Sequence, residues 1–336
     1  MVKNCSRTRH DDLFGDMLDI TSVDKESNML DINHILVVLD QSDTEQPGLD
    51  RALWLARLLN ADITLLTNAW DTYGDHSSQL AGETRDGIRA ALTSRAEQWL
   101  SSFTESDDCN GLRLTTEVHW QKHLHDAAVE SMRNNDFDLV IKSTHKHGIL
   151  DRIFSHTDWN LMRHCPAPVL MVKSAAPWRH SRILASIDAT SADRGHQLIN
   201  DNILSFAEHL ADHFSTDLHI ANAYPLVALA FSMVPEVTAP DNIQEFVTEQ
   251  HQEATQQWAD KFNVHKDHIH IAEGDTDEVI SDIAHRIEAD LVVVGTVGRE
   301  GLSGVLIGNT AEALVDKVHC DVLVIKPLDG VRPDIE

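Results

Sequence analysis

Short apolar runs separated by stretches of helical periodicity recur along this chain, and the whole series occurs twice. HILVVLD (34–40), ADITLLTNAW (61–70), LTTEVHW (114–120), FDLVIKSTHKHG (137–148) and PVLMVK (168–173) form the first series. RILASID (182–188), TDLHIANAY (216–224), KDHIHIA (266–272), ADLVVVGTVGRE (289–300) and DVLVIK (321–326) form the second. A period of roughly 150 residues is too long for a solenoid and fits tandem domains. Between the runs, apolar residues fall at helical spacing. In the first such segment Leu49, Leu53, Ala56 and Leu59 share a face behind Pro47, with Ser42, Asp43 and Thr44 as N-cap candidates. Strands alternating with helices predict parallel sheets covered on both faces. HILVVL and DLVVV are apolar throughout, as a doubly buried strand requires.

The predicted layout is two α/β domains, at 31–175 and 180–328, joined by the linker SAAPWRH (174–180). Residues 1–30 are polar and unperiodic, so a disordered N-terminal extension is expected, with Met29 a candidate for the true start. Residues 329–336 are a C-terminal tail. The last runs of the two copies, PVLMVK and DVLVIK, are β-rich edges that could mate and so pair the repeats within one chain. Association of whole chains is left open.

The chain has 336 residues, 42% of them hydrophobic, and no run approaches the roughly 20 apolar residues that span a bilayer. Its N-terminus has no apolar signal core, which predicts a cytoplasmic protein without membrane attachment. Four scattered cysteines (Cys5, Cys109, Cys165, Cys320) predict free thiols. Lys and Arg number 27 against 54 Asp and Glu, a formal net charge of −27. Such a surface repels nucleic-acid phosphates, so direct DNA or RNA binding is not expected.

The chemistry concentrates in DLVVVGTVGREGLSGVLIGNT (290–310). An apolar strand ends at Val294 and is followed by Gly295 and Gly298; after nine more residues Gly308, Asn309 and Thr310 open the helical pattern AEALVDKV. Glycines there allow positive φ and close backbone approach, so a row of N–H groups can face an anion. The helix start adds its positive dipole end. This is a phosphate cradle without a Walker lysine, since no GxxxxGK[ST] occurs. The matching block of the first copy has Ser143, Lys146 and Ser155 at the three glycine positions and is one residue shorter. Side chains where positive φ is needed would strain it and block backbone approach, so no nucleotide is expected there by the same mode.

This β–α–β unit with G-x2-G-x9-G spacing, in two copies over residues 31–328, resembles the universal stress protein family. The resemblance implies a doubly wound, Rossmann-like sheet of strand order 3-2-1-4-5 in each half. Ligands of open α/β sheets bind where the strand order reverses, here between the first and fourth strands. It further implies an adenine-nucleotide site in the second copy: Asp188 approaches the adenosine, and the Ala223 backbone meets the adenine. Val294, Gly295, Gly298, Gly308, Asn309 and Thr310 would then hold the phosphates of ATP with Mg2+. Asn309 stands where Ser or Thr is usual, and Ala311 lacks a hydroxyl found in many binders. The degenerate equivalents in the first copy are Asp40, Ser143, Lys146 and Ser155. A role in stress survival, including resistance to DNA damage, is implied as an indirect one.

No G-x-S-x-G elbow, cysteine-nucleophile motif or telling carboxylate pair occurs, so no catalytic residues are expected and the chain reads as a non-enzyme. Two alternatives stay open: a scaffold or binder of small amphiphilic ligands that no longer uses nucleotide, and a very slow ATPase in which Asp188 holds Mg2+. The apolar segment LVALAFSMVPEVTAP (226–240) predicts a short helix packed over the sheet, with a ligand lid or docking surface as the other reading. Histidines number 21, among them His123/His125, His145/His147 and His265/His268/His270. Without cysteine support they are read as solvated or partly buried, and no metal site is expected. His268 and His270 should alternate on the third strand of the second copy and face one side of it.

Overall fold

The computed structural model describes residues 32–76, 81–144, 155–226, 242–296 and 309–326. The N-terminal extension with Met29, residues 227–240 of the apolar segment, Lys146, Gly298, Gly308 and the C-terminal tail lie outside the described residues. The first half runs β1 (His34–Val38), α1 (Pro47–Leu59), β2 (Asp62–Ala69), α2 (Thr72–His76), α3 (Gly82–Thr104) and β3 (Leu114–Trp120). It continues with α4 (Leu124–Asn134), β4 (Leu139–Ser143), α5 (His156–His164) and β5 (Val169–Val172). The second half comprises β6 (Ile183–Ser186), α6 (Arg194–Phe214), β7 (Leu218–Tyr224), α7 (Ile243–Lys261) and β8 (Ile269–Glu273). It ends with α8 (Thr276–Arg286), β9 (Leu291–Gly295), α9 (Asn309–Lys317) and β10 (Asp321–Ile325).

All ten strands join one sheet in the order β3-β2-β1-β4-β5-β10-β9-β6-β7-β8. Neighbours are parallel except β5 and β10, which run antiparallel with Met171 opposite Val322, Leu170 opposite Leu323 and Val169 opposite Val324. The last strands of the two repeats thus cover each other's edge. Successive side chains point to opposite faces: Ile35, Val37 and Leu39 join a core with α1, α3, α6 and α7, whereas Leu36 and Val38 join one with α4, α5, α8 and α9.

Helix α1 starts at Pro47, but its cap is Gln46, with no side-chain capping bond, and not Ser42, Asp43 or Thr44 as the sequence predicts. Pro47 removes one of the N–H groups that a cap would serve. The earlier polar residues are used within the loop instead: Ser42 donates from its backbone N–H (2.9 Å) and its hydroxyl (2.7 Å) to the Asp40 carboxylate. Gln46 Nε2 donates to the Asp40 carbonyl at 2.8 Å.

The join between the halves is polar as well as apolar. Lys173, ending the first half, donates to the carbonyls of Val315 and Val318 at the end of α9. Lys326, ending the second, donates to the carbonyls of Arg163 and Cys165 at the end of α5. Each lysine therefore fills the carbonyl groups that a helix end leaves unpaired, and does so in the opposite repeat. Arg51 Nε reaches Asp321 Oδ2 at 2.9 Å, and Trp178 Nε1 donates to the same oxygen at 2.8 Å. The stretch 174–180 is thus more than a connection, because Trp178 also packs edge-on against Trp54 and Phe214.

Candidate functional site

Strands β7, β6 and β9 are parallel neighbours, so their carboxyl ends lie together, at the switch in strand order where a doubly wound sheet forms its crevice. Asp188 lies just past β6 with an exposed side chain. Its backbone is held from both sides by Asn200: the Asp188 N–H donates to Asn200 Oδ1 (3.2 Å) and Asn200 Nδ2 donates to the Asp188 carbonyl (2.8 Å). The Ile187 N–H donates to the Ala221 carbonyl at 3.0 Å, which sets the end of β7, with Ala223, beside Asp188. Val294 and Gly295 close β9 on the other side. Asn309 and Thr310 open α9 at the same end of the sheet. The structure therefore brings Asp188, Ala223, Val294 and Gly295 to one place with a helix start beside them, while Gly298 and Gly308 lie outside the described residues.

The reason for Gly295 differs from the sequence expectation. Among the described residues the glycines with positive φ are Gly111 and Gly274. At Gly295 the constraint is packing: a Cβ would sit 2.4 Å from Ile199 Cγ1 and 2.8 Å from Ile203 Cδ1. Both isoleucines belong to α6, which has 21 residues where α1 has 13. Counting back equally from the left-handed caps Asn60 and Ser215, Ile203 takes the place of Gly48. In the first half the small residue is on the helix instead: a Cβ at Gly48 would lie 2.9 Å from Ser143 Oγ, and the Gly48 N–H donates to that hydroxyl at 2.8 Å. Ser143 is not a positive-φ residue, so the predicted backbone strain there is corrected. Each half keeps one glycine at this contact, on opposite partners.

The first-half crevice is occupied by its own side chains. Lys142, at the place of Val294, is 1% exposed, and its ammonium lies 2.9 Å from Oδ1 of fully buried Asp158. Asp158 and Ser155 form a capping box at the start of α5: the Ser155 N–H donates to Asp158 Oδ2 (2.8 Å) and the Asp158 N–H to Ser155 Oγ (3.2 Å). A carboxylate thus already sits where a helix N-terminus would attract an anion. Gln41 Nε2 donates to the Asn68 carbonyl (2.7 Å), the group corresponding to the Ala223 backbone. Asp40 accepts from Ser42.

Sequence reasoning passed over Lys142 and Asp158, although a lysine inside the apolar run DLVIKS was a visible signal. It also missed Asn222 and His251. Asn222 Nδ2 donates to Thr255 Oγ1 (3.1 Å) and lies 3.3 Å from His251 Nδ1. Burial pulls the His251 imidazole below its ordinary range, partly opposed by Asp188. His268 closes a 3-10 turn (Lys266–His268) before β8 and does not alternate with His270 on the strand as expected. Both rings nevertheless meet His219, with centroids 4.3 and 5.3 Å away. Burial first, then His268 and His270, push His219 down to about 4. No group of three metal-ligating side chains with suitable geometry occurs among the described residues.

The sequence profile of the Universal stress protein family matches residues 31–173 and 198–326. The chain belongs to the universal stress protein family. It is 31% identical over 297 residues to universal stress protein E of Escherichia coli (strain K12), covering 88% of this chain and 94% of that one. It is 32% identical over 302 residues to the universal stress protein E homolog of Haemophilus influenzae, covering 88% and 97%. A solved putative universal stress protein from Pseudomonas aeruginosa UCBPP-PA14 is 30% identical and superposes with a TM-score of 0.66 over 89% of this chain and 95% of that one. This universal stress protein has both repeats of its tandem relatives, and no helix among the described residues is long and apolar enough to cross a membrane.

Proposed function

We propose that this universal stress protein binds one adenine nucleotide per chain, in its second half, and acts as a non-catalytic stress-response binding protein. One observation carries the reading: the two crevices differ in what fills them. In the first, the buried Lys142–Asp158 pair and the Ser155 capping box supply charge to the helix start from within. In the second, Val294 stands in place of the lysine and Ala311 in place of the aspartate, and the first-turn carboxylate of α9, Glu312, is paired with Arg163 of α5. An anion from outside, a polyphosphate, suits that helix end.

Asp188, Ala223, Val294, Gly295, Gly298, Gly308, Asn309 and Thr310 would line the site, with Asp188 and Ala223 toward the adenosine and the remainder toward the phosphates. Mg2+ would arrive with ATP, held by the phosphates. A micromolar site needs about −8 kcal/mol, within reach of a helix end, backbone N–H groups and base burial together. A contribution to surviving DNA damage would be indirect, since a net charge of −27 opposes contact with nucleic acid. Calorimetric titration of stripped protein with ATP and Mg2+ tests the reading. Saturable binding at one site per chain, lost in Gly298→Val, is expected; no heat with the wild-type chain rejects it in favour of a scaffold.

A further inference from the structure

Asn222, one residue before Ala223 on β7, is 1% exposed, and its Oδ1 is buried with no hydrogen-bond partner among the described residues. The orientation of its amide is fixed by its neighbours. The Thr255 hydroxyl donates to the His251 carbonyl at 2.6 Å, so the Thr255 oxygen is left to accept from Asn222 Nδ2. The amide nitrogen therefore faces α7, and the orphan is an acceptor. The same amide approaches His251 Nδ1 at 3.3 Å, which makes that nitrogen an acceptor and leaves the ring proton on Nε2. A buried acceptor without a donor is costly, and its persistence calls for an explanation. In the first half the corresponding Thr67 has none to explain, because its hydroxyl donates to the Leu39 carbonyl at 2.9 Å. Asn222 stands beside the crevice: the Ile187 N–H bonds Ala221, Asp188 follows, and His251 feels the Asp188 charge.

We propose that Asn222, its amide oriented by Thr255 and His251, reads the base of the nucleotide, its Oδ1 accepting from the exocyclic amine of a 6-aminopurine. This rests on the nucleotide reading above and adds specificity to it. A lone acceptor at this place complements adenine, whose exocyclic amine is a donor. A 6-oxopurine puts an oxygen acceptor in the place of that amine and leaves Oδ1 opposed by a second acceptor.

The test compares ATP with inosine triphosphate by calorimetry on the wild-type chain and on Asn222→Leu, with melting curves confirming that the variant is folded. The expected result is ATP binding at least about tenfold tighter than inosine triphosphate, with that ratio falling toward one in Asn222→Leu. Equal wild-type affinities overturn the assignment while leaving the nucleotide site intact. A ratio that survives in folded Asn222→Leu also overturns it, and means that water or another group satisfies Oδ1. If neither nucleotide binds, both readings fall. Should Asn222→Leu not fold, Asn222→Thr, which copies Thr67 of the first half, takes its place with the same two outcomes.

Discussion

The Lys142 ammonium lies 2.9 Å from the Asp158 carboxylate, in a place where neither touches solvent appreciably. It links the end of β4 to the start of α5, the two elements whose counterparts flank the glycine block in the second half. Breaking a buried pair from one side strands a charge. Asp158→Ala is therefore expected to lower unfolding free energy by about 3 kcal/mol or more in chemical denaturation, including the loss of the capping box. Combining it with Lys142→Val, which restores the second-half residues at both positions, should recover most of that loss. Simple additivity of the two single costs would contradict the pairing.

Gly295 is held by Ile199 and Ile203. Gly295→Ala should cost about 1–3 kcal/mol by overpacking, measured as a shift in the denaturation midpoint. Ile199→Ala on its own should also destabilise, by cavity formation. Because the new methyl and the removed side chain share one space, the double variant should cost clearly less than the sum of the two.

Asp321 is shared by Arg51, Trp178 and the Lys173 N–H (2.9 Å). Burial pushes its carboxyl above the ordinary range in spite of Arg51, so desolvation outweighs the attraction of the guanidinium. Removing the carboxylate alone still leaves three donors without an acceptor. Asp321→Leu is expected to cost about 3–5 kcal/mol, whereas Arg51→Met with Asp321→Leu should cost less than the sum of the two single changes, because the stranded guanidinium is gone while the Trp178 and Lys173 N–H groups stay unpaired. A double-mutant cycle in denaturant gives both values, and a mild effect of Asp321→Leu alone would count against this account of the join.

Acid sensitivity should follow the His219 stack. An unfolded histidine titrates near 6.5, while burial holds His219 down to about 4. Between those values the unfolded chain binds the additional proton. Stability is therefore full above about pH 6.5, falls on acidification through the window, and levels off for this group below about pH 4. The loss should be roughly 1–3 kcal/mol. His219→Thr, which copies Thr64 of the first half, should flatten the stability profile in that window. Some slope should remain, because burial also lowers His270, His251 and His125.

Much of the fold was legible because the central strands β1, β4, β5, β9 and β10 are largely apolar runs, and nine of the ten strands lie within their expected segments, β8 running one residue past its own to Glu273. Such runs need no context to announce a doubly covered sheet. The cap of α1 was misplaced because Ser42 and Asp43 are equally good loop-formers, and nothing local distinguishes the two uses. The role of Gly295 was misread for a related reason. A glycine after a strand suggests backbone conformation, whereas its cause here is the side chains of Ile199 and Ile203, separated from it by almost a hundred residues in sequence. Asn222 was invisible for want of Thr255 and His251, which only the packing of α7 against β7 brings to it.

The central claim is that the two repeats differ in which crevice accepts a polyphosphate. A crystal structure of the full chain grown with excess ATP and Mg2+ tests it most directly. The account predicts nucleotide density at the ends of β6 and β9 beside Asp188 and Gly295, with the Lys142–Asp158 pair undisturbed. Nucleotide seated instead beside Asp40 and Ser143, or in both crevices alike, would contradict it.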